Sequence, residues 1–171
     1  MTKYSLSNFK DEMKDIARPY HYRVEFQGGS FANLSGKEIV HIRTSVVPGI
    51  TTNEVPLGFY GETFKMAGTH TFNNINVEFL IDAEYSIAKE LYKSLSNVAS
   101  VTKDGEGLWK APADYQGDMK LIYLNTSKAP AHDITLKMAY VSSVADVALG
   151  QETKDTPLLF SATITYSYFE N

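Results

Sequence analysis

The clearest alternation of apolar and polar positions runs from Ile75 to Ile81, where Ile75, Val77, Phe79 and Ile81 are separated by Asn76, Glu78 and Leu80. A period of two predicts a strand with one buried face. The segment just upstream, Val55 to Thr71, behaves differently. Gly58, Gly61 and Gly68 punctuate it, and glycine adopts backbone angles closed to other residues. It still carries Val55, Pro56, Leu57, Phe59, Tyr60, Phe64 and Met66. A loop facing water does not hold so many apolar groups without something to cover them. The expectation is a protruding, mobile loop over residues 47–70, covered by the chain's own core or by a neighbouring molecule.

Alternation marks further strands. In Tyr20 to Phe26, Tyr22, Val24 and Phe26 oppose His21, Arg23 and Glu25; in Ile39 to Val46, Val40, Ile42 and Val46 oppose His41, Arg43 and Ser45. Ile50 to Leu57 reads as extended at most. Met119 to Asn125 is apolar on both faces through Leu121, Ile122, Tyr123 and Leu124, which predicts a central strand. His132 to Val141 sets Ile134, Leu136, Met138 and Tyr140 against Thr135, Lys137 and Ala139. Last, Phe160 to Tyr168 lines Phe160, Ala162, Ile164, Tyr166 and Tyr168 on one face. Its other face, Ser161, Thr163, Thr165 and Ser167, is small, hydroxylated and uncharged. Ala145 to Leu149 is a further short candidate, and turn signals fall at Gln27–Ser30, Asn33–Lys37, Ser127–His132 and Gly150–Pro157.

Two segments follow helical spacing. Leu6, Phe9, Met13 and Ile16 predict a short amphipathic helix from Ser5 to Ala17, ended by Pro19. Ile87, Ala88, Leu91, Tyr92, Leu95, Val98 and Ala99 predict a long helix from Ala83 to about Ser100, with Asp82 as its N-cap. Residues 102–117 read as a loop pinned by Trp109 and Tyr115. The fold class is therefore mainly β: an antiparallel sandwich or partly closed barrel, with one long α-helix and a short N-terminal helix. The 171 residues make one domain.

Composition narrows the function. Sixteen basic and twenty acidic residues give a net charge of −4, which argues against a surface that grips nucleic-acid phosphates broadly. There is no cysteine, hence no disulfide framework, thiolate metal site or thiol nucleophile. The polar start MTKYSLSNFKDEMKD is unlike a signal peptide, and no apolar run approaches the ~20 residues that span a bilayer. A soluble chain made in a cytoplasm, with no membrane partner, is expected. His21, His41, His70 and His132 lack metal-ligand spacing, and Glu62, Glu78, Asp82 and Glu84 have no partner pattern. No phosphate-binding or nucleophile-elbow motif occurs. The expectation is no enzyme, no metal and no cofactor.

Three stretches resemble the tail tube proteins of contractile-tailed, T4-like bacteriophages. One is Val55-Pro56-Leu57-Gly58-Phe59, then Met66-Ala67-Gly68, then Thr71-Phe72 leading into Val77. Another is Asp15-Ile16-Ala17-Arg18-Pro19 leading into Tyr22-Arg23-Val24-Glu25-Phe26. The third is Phe160 to Tyr168, closing on Tyr168-Phe169-Glu170. Together they span nearly the whole chain in the family's order. The chain departs from the family's pattern at Thr69-His70 and at Asn73, Asn74 and Ile75.

The resemblance implies a structural subunit whose hexameric rings join their sheets edge to edge and stack into a hollow conduit for double-stranded DNA. It implies partners: other copies of the chain, the tail sheath, the baseplate tube initiator and the tail terminator. The implied location is the virion tail, assembled in the host cytoplasm. Residues 1–19 become an arm. Arg18, Pro19, Val55, Pro56, Leu57, Gly58, Phe59, Gly61, Gly68, Thr71 and Phe72 become the subunit and ring interface, with the three glycines as bends. Ser161, Thr163, Thr165 and Ser167 are the candidate lumen face, because cationic side chains there would hold phosphates and slow passage. Other readings are a tube-initiating baseplate protein, the tube of a contractile injection or secretion system and, in another class, a β-sandwich ligand-binding module.

Overall fold

The computed structural model describes residues 13, 17–32, 34, 42–101, 107–147 and 156–171. The strands are β1 (Tyr22–Gln27), β2 (Ile42–Thr44), β3 (Ile50–Phe59), β4 (Glu62–Phe72), β5 (Ile75–Leu80), β6 (Ala99–Val101), β7 (Gly107–Trp109), β8 (Gly117–Leu124), β9 (Pro130–Val144), β10 (Leu159–Thr165) and β11 (Tyr168–Glu170). Helix α1 spans Ser86–Val98, α2 is the single turn Pro112–Tyr115, and a 3-10 turn covers Gly29–Phe31.

The main sheet is antiparallel, with the order β1-β8-β9-β10-β5-β2 and β11 also paired to β9. β9 is long enough to serve two neighbours in turn. Its first part, to Ala139, pairs with β8, and Tyr140 to Val144 pair with β10. Between them the register shifts, and Met138 takes a positive φ of 55°. An inserted residue of this kind bends a strand and increases its twist, and here it curls the sheet into a half-barrel. It also corrects the expected faces of this strand. Ile134 and Leu136 point inward as expected, but beyond the bulge it is Ala139 and Val141 that are buried, while Met138 is 46% exposed.

The C-terminal strand is likewise two strands rather than one. β10 buries Phe160, Ala162 and Ile164 as the alternation requires, and Tyr166 still points inward. Ser167 then donates its N–H to the Lys137 carbonyl at 3.1 Å, and the chain resumes as β11 on the other half of β9. The phase changes at that step: Tyr168 is exposed, and Phe169 packs on the core instead.

Helix α1 lies against β9 and the 3-10 turn. Ile87, Ala88 and Leu91 sit in the same core as Val24, Phe26, Val77, Phe79, Leu136 and Ile164. Tyr85 in the left-handed region (φ 56°) starts the helix later than Ala83. Tyr85, not Asp82, is therefore the N-cap, although the Asp82 carboxylate accepts the Ser86 N–H at 2.8 Å from outside the helix. Ser94 is buried on the same stripe, its Oγ 2.6 Å from the Ser30 carbonyl. The turn it touches depends on Gly29, whose φ is positive and where a Cβ would overlap the Gln116 carbonyl oxygen.

Residues 107–117 are more ordered than a loop, since β7 pairs with β6 and α2 follows. Tyr115 packs edge-on against Tyr140, but Trp109 is 82% exposed and pins nothing in the subunit. The expected strand from Ile39 is described only as β2. Ala145 to Val147 are not strand. Most of the Ser5 to Ala17 helix, of the 33–37 turn and of the 150–157 turn lies outside the described residues; Met13 and Ala17 are described and are not helical.

Candidate assembly surfaces

The expected loop over residues 47–70 is a hairpin. Among the described residues β3 and β4 pair only with each other, from Ile50 opposite Phe72 out to Phe59 opposite Glu62. Tyr60 and Gly61 form the two-residue turn with φ values of 48° and 85°. Two positive φ angles give the turn whose twist matches paired strands. Ten residues at ~3.4 Å each carry the tip about 34 Å outward, close to the breadth of a domain this size.

Of the three glycines expected to bend this segment, only Gly61 sits in the turn. Gly68 lies in a bulge, where Asn53 opposes both Gly68 and Thr69; a Cβ on Gly68 would come within 2.9 Å of the Asn53 carbonyl oxygen. Gly58 is ordinary strand with open space around it, so it is no bend.

Register sorts the side chains by face, since directly opposed residues share one. Val55 opposes Met66, Leu57 opposes Phe64 and Phe59 opposes Glu62, giving a continuous apolar strip that ends in an acid. The other face is polar: Glu54 and Lys65 form an ion pair at 2.6 Å, with Pro56, Gly58 and Thr63 beside them. No described residue covers the strip; Phe59 is 72% exposed. At the root, Phe72 packs on Tyr166 and Phe169, Thr71 reaches the Thr51 carbonyl, and Thr52 Oγ1 lies 2.9 Å from His70 Nδ1.

Arg18 and Pro19 are not near this strip. They line a cleft with Val47 at the root of the hairpin, and Arg18 donates to the Tyr20 hydroxyl at 2.8 Å. Phe64 and Met66, absent from the expected interface, complete the apolar strip. Alternation on either side of Tyr60-Gly61 was the signal for them.

The outward face of the sheet has two characters. Along β1, β8, β9 and β11 it is a charge lattice: Arg23–Glu25, Lys120–Asp133 and Lys137–Asp118 pair at 2.7–2.8 Å, and Glu170 approaches Lys137 at 3.9 Å. Lys120 holds the Asp133 carboxyl below its usual range, by hydrogen bond first and charge second. The bond to Asp118 raises Lys137. Along β10 and its neighbours the face is nearly uncharged. Ser161 opposes Glu78, and Thr163 opposes Asn76 on one side and Ser143 on the other. Ser167 falls outside β10, at the step to β11.

Catalytic geometry is sparse. Among the described residues no three His, Asp or Glu side chains gather as a metal site, and no helix is long and apolar enough to cross a membrane. His132 stacks on Tyr123. Burial raises the Tyr22, Tyr123 and Tyr166 phenols, which keeps them protonated at neutral pH.

A curled antiparallel sheet backed by one helix, with a long hairpin whose apolar strip no described residue covers, defines a structural subunit of an assembly. The comparisons give the family. The profile of the phage tail tube protein family matches residues 17–171, and the chain belongs to that family. It is 22% identical over 160 residues to the tail tube protein gp19 of Enterobacteria phage T4, and 21% over 160 residues to that of phage T6. Each match covers 93% of this chain and 94% of the relative. The fold is shared with chains of contractile injection systems. One is from the PVC sheath/tube terminator in its extended state (TM-score 0.66, 11% identity, 91% of this chain and 95% of that one). Another is from the PVC sheath-tube complex (TM-score 0.61, 14% identity, 98% and 97%). A third is from the tube-terminating cap of the anti-feeding prophage (TM-score 0.63, 14% identity, 91% and 89%). The chain is thus a tail tube protein of the contractile-tailed phage kind.

Proposed function

We infer that this subunit forms hexameric rings that stack into the hollow tube of a virion tail, through which double-stranded DNA passes without specific binding. The observation that carries this reading is the hairpin: an isolated two-stranded ribbon is marginal in water, and an apolar strip of this length calls for a covering neighbour. Residues 47–70 are the inter-subunit element, with Val55, Leu57 and Phe59 as its apolar contacts and Arg18 and Pro19 at its root. Residues 1–19 act as an arm within the one tube domain. The role is structural, without catalysis or cofactor. Sheath, baseplate initiator and tail terminator are the further partners, and assembly takes place in the host cytoplasm.

The lumen is assigned to the Ser161, Thr163 and Thr165 face. A wall of small hydroxyls with one acidic neighbour offers phosphates nothing to hold, whereas an apolar wall would be unsolvated before DNA arrives. Electron microscopy of the purified full chain on a preformed baseplate tests the reading. Rings and tubes of uniform bore are expected; a featureless monomer under all conditions overturns it and favours a ligand-binding module.

A further inference from the structure

Among the described residues the sheet does not close on itself. β1 and β2 are the end strands of its order, and between them runs an open seam bridged by the Tyr22 hydroxyl, which donates to the Arg43 carbonyl at 2.8 Å. Two adjoining clefts of about 620 and 370 Å³ follow this seam and share Pro19, Tyr22 and Ser45 in their walls. Val24, Ile42 and Leu124 make the larger cleft apolar at its base, and Arg43 stands on its lip.

Two observations mark the seam as unfinished. Six buried side-chain polar atoms among the described residues have no hydrogen-bond partner, and three of them, Arg23 Nε, Ser45 Oγ and Tyr123 Oη, belong to residues lining these clefts. A buried polar group left alone costs about 1–3 kcal/mol, so such a cluster calls for a partner. The exposed Arg43 also has no ion pair among the described residues, whereas Arg23 is held by Glu25.

The hairpin carries the complement. Its apolar face ends in Glu62, directly opposite Phe59, and Glu62 also lacks an ion pair among the described residues. The strip and the acid point the same way, as the apolar base of the cleft and the base on its lip require. The hairpin is long enough to run along a neighbouring subunit.

The geometry points to the β1–β2 seam of an adjacent copy as the receptor for the hairpin tip, with Phe59 and Leu57 entering the cleft and Glu62 pairing with Arg43. This rests on the tube reading and deepens it by naming the surface that the hairpin covers.

Charge reversal tests it in the full chain. Arg43→Glu and Glu62→Arg each place like charges together, and each is expected to lower the yield of sedimentable tubes by roughly tenfold or more. The double variant restores the attraction and the yield. Both side chains are exposed, so circular dichroism of each variant stays that of the wild type. Single variants that assemble normally, or a double variant that does not recover, overturn the proposal.

A second measurement uses the absence of cysteine from the chain. Tyr60→Cys and Thr44→Cys subunits, mixed and assembled under oxidation, should give a disulfide-linked dimer; Tyr60→Cys with Trp109→Cys should not. Tubes that form without the first bond overturn the seam assignment and leave the tube reading standing. Wild-type protein that never forms rings overturns both.

Discussion

Leu57 stands directly opposite Phe64 on the hairpin, on one face, and both are exposed in the subunit. A cross-strand apolar pair stabilises a ribbon by a few tenths to about 1 kcal/mol, too little to hold a bare hairpin firmly. We propose that the strip orders fully only when covered, at a cost that slows spontaneous polymerisation and favours growth from a template.

The first expected outcome follows directly. Leu57→Ser with Phe59→Ser leaves the subunit's circular dichroism and melting cooperativity intact, because neither side chain reaches the core. Growth of tubes on a preformed baseplate fails. A variant that unfolds instead would return these residues to the subunit's own core.

The core behaves oppositely. Leu91 is 1% exposed and packs among the sheet's inward residues. Leu91→Ala should destabilise the subunit by roughly 2–5 kcal/mol, read as a shift in denaturant midpoint at unchanged m-value. A loss below about 0.5 kcal/mol, the scale of an ordinary surface change, contradicts that packing.

Much of this was legible from alternation alone. Val24 and Phe26, Ile75 to Phe79, and Phe160 to Ile164 all face the core as their period requires. Failures fall where one residue changes the phase. Met138 adds a bulge that no composition signal announces, and the Tyr166-Ser167 step breaks a pattern that reads as continuous through Tyr168. In the hairpin the glycines signal a loop more strongly than the alternation signals strands, although Tyr60-Gly61 between two alternating runs is a hairpin signal. Pairing partners decide faces, and pairing is non-local. The β1–β2 seam was invisible for that reason: its walls come from residues some twenty to a hundred positions apart.

The charge lattice predicts a pH response. Asp133 is depressed by Lys120, so its contribution to stability is present above the unfolded carboxylate value, near 3.9, and is lost as pH falls through the lower folded value. Lys137 is raised by Asp118, so its contribution is complete below the unfolded lysine value and lost as pH rises through the higher folded one. Thermal melts of Asp133→Asn should fall less steeply than wild type between roughly pH 4 and pH 2. High salt should narrow the difference, since these pairs face solvent. Parallel curves in low salt would contradict the shift.

The lumen assignment gives the last outcome. On β10 the inward positions Ala162 and Ile164 are buried, which turns Thr163 and Thr165 to the sheet's other face. Thr163 sits between Asn76 and Ser143, and Thr165 pairs with Tyr140. No basic side chain stands at any of these paired positions. On the other half of the outward face Lys120 and Lys137 are present but already held by Asp133 and Asp118. Thr163→Lys with Thr165→Lys puts basic side chains on the hydroxyl half. Lysine fits an exposed strand position, and the core residues between the two are untouched, so rings and tubes should still form. In a channel of stacked rings each ring repeats the new charges, and DNA leaving the capsid meets a continuous cationic track. Ejection should slow or stop part-way, more so at low salt, since the phosphate attraction weakens as salt rises. Fluorescence of DNA released from purified virions, with the substitutions verified in the tails, reads the effect directly. Release at the wild-type rate at low salt moves the lumen off this face.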